Sequence, residues 1–161
     1  MSLITLKGII DEDFVNYKVP SMTIMFPRCD FKCEQDEESF CHNSPLTHEK
    51  DIRISPYSLC KRYMENPISE AIVFQGLEPF DSYEDLLVLI YTIRHEFLCN
   101  DDIVIYTGYN KDEIELELIE LSKFANIVVK FGRYITGQAP HVDEVLGVSL
   151  SSNNQFGERI S

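Results

Sequence analysis

The chain is short of positive charge, of long apolar runs and of anything repetitive. It carries 14 lysines and arginines against 27 aspartates and glutamates, a formal net charge of −13. Proteins that grip DNA or RNA draw most of their affinity from cationic contacts to phosphate, so this balance argues against a nucleic-acid partner. No stretch is apolar for long enough to span a bilayer. The opening MSLITLKGIIDEDF lacks the basic segment and long apolar segment of a secretory leader. A cytoplasmic protein with no membrane partner is expected. Repeats, low-complexity tracts and linker-like stretches are missing as well. A length of 161 residues suffices for one packed core, so a single domain over 1–161 is expected. Cysteine is present, but in odd number, at five. Clustered thiols in a reducing compartment point to metal binding or chemistry rather than to disulfides.

What is there is an alternation of two kinds of segment. Apolar, β-branched runs read as buried strands at 21–26 (SMTIMF), 70–76 (EAIVFQG), 102–108 (DIVIYTG) and 126–132 (NIVVKFG), with weaker runs at 3–10 and 145–151. Such runs, with little polar alternation, suit strands covered on both faces. Helical patterns lie between them. Ser55-Pro56 predicts a helix start running to about Asn66. Asp81 with Glu84 predicts a capping box, followed by a stripe of Leu86, Leu89, Ile90, Ile93 and Phe97. Asn110 with Glu113 predicts the start of another helix, with Ile114, Leu118, Leu121 and Ala125 as its stripe. Alternating strands and helices predict an α/β fold with a mostly parallel sheet and right-handed crossovers. Ligands of such sheets bind at the carboxyl ends of the strands. The loops after the four strong strands are therefore expected to meet on one rim.

The first of those loops reads CDFKCEQDEESFCHN and holds Cys29, Cys33 and Cys41. A structural zinc site wants four ligands, usually in paired short spacings. Here the spacing is C-x3-C-x7-C, with no second pair; His42 abuts Cys41, and His48 is a looser candidate for a fourth ligand. Three thiolates on one loop better suit a [4Fe–4S] cluster with one iron left open to a substrate. Acidic residues 34–38 read as a solvated stretch, and Cys60 and Cys99, in helical segments, as small buried residues.

Cys29, Cys33 and Cys41-His42-Asn43 resemble the cluster loop of the radical S-adenosylmethionine (SAM) enzymes, and the CHN ending resembles the activating proteins of anaerobic ribonucleoside-triphosphate reductase. The likeness continues in KGIIDEDF (7–14), VFQGLEPF (73–80), DIVIYTGYNKDEI (102–114), VVKFGRYI (128–135) and, loosely, GVSLSSNNQFGERI (147–160). The chain departs from the pattern in having seven residues rather than two before Cys41, Leu77 for a second glycine, and NYKVP (16–20) where a glycine-rich turn often stands.

The resemblance implies a partial (β/α) barrel of the radical SAM type. It implies Cys29, Cys33 and Cys41 as ligands of a [4Fe–4S] cluster, and SAM bound at the open iron. Phe40, Gly76, Glu78, Thr107, Gly108 and Asn154 are the implied SAM-facing residues, with Gln155 a weaker candidate. Gly76 would let backbone approach the ligand, and Glu78 would accept hydrogen bonds from the SAM amino group. The implied reaction is reductive cleavage of SAM and removal of a hydrogen atom from a glycine of anaerobic ribonucleoside-triphosphate reductase. The electron would come from a donor such as a flavodoxin-like protein. Catalysis would belong to the cofactors, with no catalytic side chain. Alternatives are another small radical SAM enzyme, or a non-catalytic metal-binding protein. Tyr106 and Tyr109 read as packing residues, and Arg133 as a surface charge or a partner contact.

Overall fold

A computed structural model describes residues 2–28 and 49–161. Its centre is a six-stranded sheet whose strands lie in the spatial order Phe156–Arg159 (β10), Ile127–Phe131 (β7), Asp102–Tyr106 (β6), Ala71–Gly76 (β5), Ser21–Phe26 (β3) and Gly8–Asp13 (β2). The four inner strands β3 (Ser21–Phe26), β5 (Ala71–Gly76), β6 (Asp102–Tyr106) and β7 (Ile127–Phe131) run parallel, in registers such as Ile24↔Phe74, Phe74↔Ile105 and Ile105↔Val129. They are the four strong runs of the sequence. The edge strands β2 (Gly8–Asp13) and β10 (Phe156–Arg159) pair antiparallel to β3 and β7.

Side-chain alternation divides the inner strands between two cores. Met22, Ile24, Phe26, Ile72, Phe74, Ile103, Ile105, Ile127, Val129 and Phe131 share one core with the buried residues of the helices. Phe26 meets Phe74 edge to face at 5.6 Å, an arrangement the ring quadrupoles favour. Ala71, Val73, Val104 and Val128 pack instead on Tyr17, Leu146 and Leu150. Cover on both faces explains why these strands show little polar alternation.

The helices begin and end for local reasons. Ser55 Oγ accepts the Ser58 N–H at 3.1 Å and starts α1 (Pro56–Glu65), as the sequence predicts. The expected Asp81–Glu84 box is not formed. Glu78 instead caps a short 3-10 turn, Pro79–Ser82, and α2 follows at Tyr83–Tyr91. Proline sets its own φ for a first helical position, so the turn starts earlier and encloses Asp81. The chain then widens into a π turn, Thr92–Glu96, closed by the Phe97 N–H on Thr92 O at 3.1 Å. Buried Arg94 stabilises this end by donating to the carbonyls of Cys99, Asp101, Ala125 and Asn126.

Where the sequence predicts a helix start, Asn110 and Glu113 form a capping box on a 3-10 turn, Lys111–Glu113, and α3 (Glu115–Leu121) follows it. Ala125 is not part of that helix's buried stripe. It is exposed, because the helix ends at Leu121 and the chain reverses through Asn126 at φ 58°. The run at 3–10 divides into β1 (Ile4–Leu6) and β2, and β1 pairs with a strand the sequence did not announce, β4 (Ile52–Ile54). In 145–151 only β9 (Val148–Leu150) is extended, paired with β8 (His141–Asp143) in a separate two-stranded ribbon. Among the described residues no helix is long and apolar enough to cross a membrane.

Candidate metal and cofactor site

Parallel pairing brings the ends of β3, β5, β6 and β7 to one edge of the sheet, as the alternation of elements predicted. The loops that follow β5, β6 and β7 are hydrogen-bonded to one another there. Glu78, 4% exposed, is at their centre. Its Oε1 accepts the Thr107 hydroxyl at 2.9 Å and the Gly108 N–H at 2.8 Å, and its Oε2 accepts the Phe80 N–H at 3.1 Å. Burial pushes the carboxyl up to about 7, against the pull of these three donors.

The network continues around the edge. Thr107 Oγ1 accepts the Tyr109 N–H at 3.0 Å, and Tyr109 O accepts the Gly132 N–H at 3.1 Å. The Tyr109 hydroxyl donates to Asp81 at 2.6 Å. Asn154 Nδ2 donates to Arg133 O at 2.7 Å and Gln155 Nε2 to Gly132 O at 3.2 Å, so the SSNNQ segment holds the loop after β7. Arg133 itself pairs with Glu113 at 3.1 Å.

The loop after β5 is also strapped to the residues that lead into Cys29. Leu77 N–H donates to Phe26 O at 3.2 Å, and Glu78 N–H to Arg28 O at 2.7 Å. Gly76 makes that approach feasible. Its φ is 93°, and a Cβ there would stand 2.6 Å from Phe26 N and 2.7 Å from Met25 Cα. The sequence suggested that Gly76 clears space for a ligand; the close approach visible in the structure is to β3. At Gly108 a Cβ would meet Arg133 Cβ at 3.5 Å and Glu78 Oε1 at 3.6 Å, ordinary contacts, so its N–H matters more than its missing side chain.

Of the predicted site residues, Gly76, Glu78, Thr107 and Gly108 are brought together, and Asn154 joins them through Arg133. Cys29, Cys33, Phe40 and Cys41 lie outside the described residues, as do the acidic stretch 34–38, His42, Asn43 and His48. Cys60 and Cys99 are buried and free, and burial pushes the Cys60 thiol up to about 12, as befits packing residues. Sequence reasoning missed the Asp81–Tyr109 bond and buried Lys130, whose Nζ donates to Gly132 O at 2.9 Å. The proline after Glu78 was the available signal for the first, since it starts the turn that carries Asp81.

Among the described residues no group of three or more His, Cys, Asp or Glu side chains is placed to hold a metal, so the cysteines of the 29–43 segment stay the candidates. Residues 21–156, from the start of β3 to the start of β10, match the model of a protein family described as a 4Fe-4S single cluster domain. The chain belongs to the 4Fe-4S single cluster domain family. No curated protein and no solved structure matches it. Family membership supports iron–sulfur binding, with a [4Fe–4S] cluster as the cofactor, and is compatible with a redox or radical SAM enzyme. The donor chemistry agrees: thiolates are the usual protein ligands of such clusters, and Cys29, Cys33 and Cys41 fall inside the matched residues.

Proposed function

We propose that this 4Fe-4S single cluster domain protein is a radical SAM activating enzyme, a single domain of partial (β/α)-barrel type, that generates a glycyl radical on anaerobic ribonucleoside-triphosphate reductase. The observation that carries the reading is the junction just described. The backbone entering Cys29 is bonded to the 76–78 loop, and that loop is bonded to the 107–108 turn, at the carboxyl edge of a parallel sheet. In the resembling family these are the segments that carry cluster and SAM.

Cys29, Cys33 and Cys41 would hold three irons, leaving the fourth for SAM. When bound, the cluster supplies one electron for reductive cleavage of the sulfonium. The chain's own part is position and shelter. Gly76, Glu78, Thr107, Gly108 and Asn154 build one wall of the site, with Phe40 as the aromatic neighbour of adenine. The site binds SAM, keeps water from it, and leaves the approach to a glycine-bearing loop of the reductase. An electron donor such as a flavodoxin-like protein completes the system.

The test is anaerobic purification, iron analysis and electron paramagnetic resonance of the reduced protein with and without SAM. Brown protein with about four irons per chain, and a signal that changes when SAM is added, is the expected result. Cys41→Ala should abolish the signal. Colourless protein carrying zinc would refute the reading. A SAM-responsive protein that neither associates with the reductase nor yields a glycyl radical on it would keep the chemistry and reject the partner.

A further inference from the structure

We infer that Glu78 serves the proposed reaction as a positioning residue: its carboxylate takes no ligand, and instead clamps the 107–108 turn to the 77–80 loop. The inference rests on the SAM reading of the preceding subsection and assigns Glu78 a different task from the one the resemblance implies.

The resemblance has this carboxylate accept from the amino group of SAM. The geometry gives it other work. An ionised carboxylate offers about four acceptor positions, and three are filled from within the chain, by Thr107, Gly108 and Phe80. The residue is 4% exposed, so an outside donor has almost no surface to reach. The two oxygens also divide their partners in a telling way. Oε2 holds the start of its own loop, whereas Oε1 holds the turn that ends β6. The side chain thus joins two neighbouring strand ends beyond their β-ladder bonds, beside the outer Tyr109–Asp81 bond between the same two turns. Its backbone N–H adds a third connection, to Arg28 O at 2.7 Å, one residue before Cys29.

From Glu78 the bonds pass onward through Thr107 to Tyr109 and Gly132, and from Gly132 O to Gln155. The buried carboxylate therefore sets the spacing of the 77–80 loop and the 107–108 turn, and through that turn the loop after β7, while the backbone N–H of the same residue ties in Arg28. Pre-set spacing of this kind lowers the ordering cost of binding.

Cluster-loaded wild-type protein, Glu78→Met, Glu78→Gln and Thr107→Val separate the two roles. Met keeps the length and removes every acceptor. Gln keeps an acceptor for Thr107 and Gly108 while its amide opposes the Phe80 N–H, so it should rescue in part. Two ligands are compared for affinity: SAM, and the SAM analogue in which hydrogen replaces the α-amino group. A positioning role predicts that each variant weakens both ligands by the same factor, about tenfold for Met as for loss of one charge-assisted bond. Gln and Val should fall in between. Without any ligand, hydrogen exchange at the Gly108 amide should speed up in Glu78→Met and be partly restored in Glu78→Gln.

A variant that weakens SAM but spares the desamino analogue would show direct contact with the amino group and overturn the proposal. Unchanged exchange at Gly108 would overturn it too. If Glu78→Met does not fold, the Gln and Val proteins carry the same comparison. If wild-type protein binds neither compound, the SAM reading itself fails and takes the positioning role with it. The exchange data then still report whether the clamp exists.

Discussion

Neutralising Glu78 should change the way stability depends on pH, in a window set by its burial. The ordinary carboxyl value is 4.5, and burial raises it to about 7 in the folded protein. The folded state therefore holds this proton more tightly than the unfolded one. The stabilisation from the group is fully present below about 4.5 and is lost as pH rises through about 7. The rise corresponds to about 3 kcal/mol between the two limits. Asp81 adds to it from the same turn, while the three donors to the carboxylate oppose it.

Glu78→Gln has no proton to exchange at that site. The stability difference, wild type minus variant, should therefore fall by about 3 kcal/mol between pH 4.5 and pH 7.5. Urea unfolding at fixed pH values measures it. Asp11 and Asp102, which Arg62 and Arg159 hold below the usual carboxylate range, titrate in both proteins and cancel in the difference. A protonated-carboxyl infrared band, present in wild type at pH 6 and missing in the variant, would report the same ionisation directly. A flat difference, or a band that titrates near 4.5, would refute the reasoning that burial outweighs the three hydrogen bonds.

Gly76→Ala should destabilise by about 2–5 kcal/mol, from a positive φ and a methyl driven into the β3 backbone; a fall in melting temperature on the order of 10 °C is expected. Arg94→Met should cost about 2–4 kcal/mol in unfolding experiments, because it removes the buried guanidinium that donates to four carbonyls, one buried and three part-buried. Arg94→Lys should recover little, since an ammonium cannot reach the spread that a guanidinium fork spans. Cys60 and Cys99 should resist alkylation in the folded protein at pH 8 and react after denaturation, as mass spectrometry would show; burial raises the pKa of both thiols.

The inner sheet was legible because its strands are covered on both faces. SMTIMF, AIVFQ, DIVIY and IVVKF needed no partner to be recognised, and alternation with Ser55- and Asn110-capped segments was enough to make them parallel. The edge elements were not legible in the same way. Among the described residues β4 and β8 are short strands that pair with other short strands, so their extended form comes from pairing and not from pattern. The Asp81–Glu84 box failed because two valid start signals competed, and Pro79 with Glu78 comes first along the chain.

The candidate site divides along the same line. Three cysteines within thirteen residues, an acidic balance, and glycines at 76 and 108 closing two apolar runs are properties of the sequence alone. They point to a thiolate-bound cofactor wherever the chain folds. What those glycines and carboxylates do was decided only in three dimensions. Gly76 lacks a side chain because β3 leaves no room for one, and Glu78 is buried under the turn that it binds. Spacing along a chain fixes which groups are available, but it cannot say which donors will already be satisfied. That depends on what the neighbouring strand ends bring to within 3 Å, and strand order is a tertiary fact.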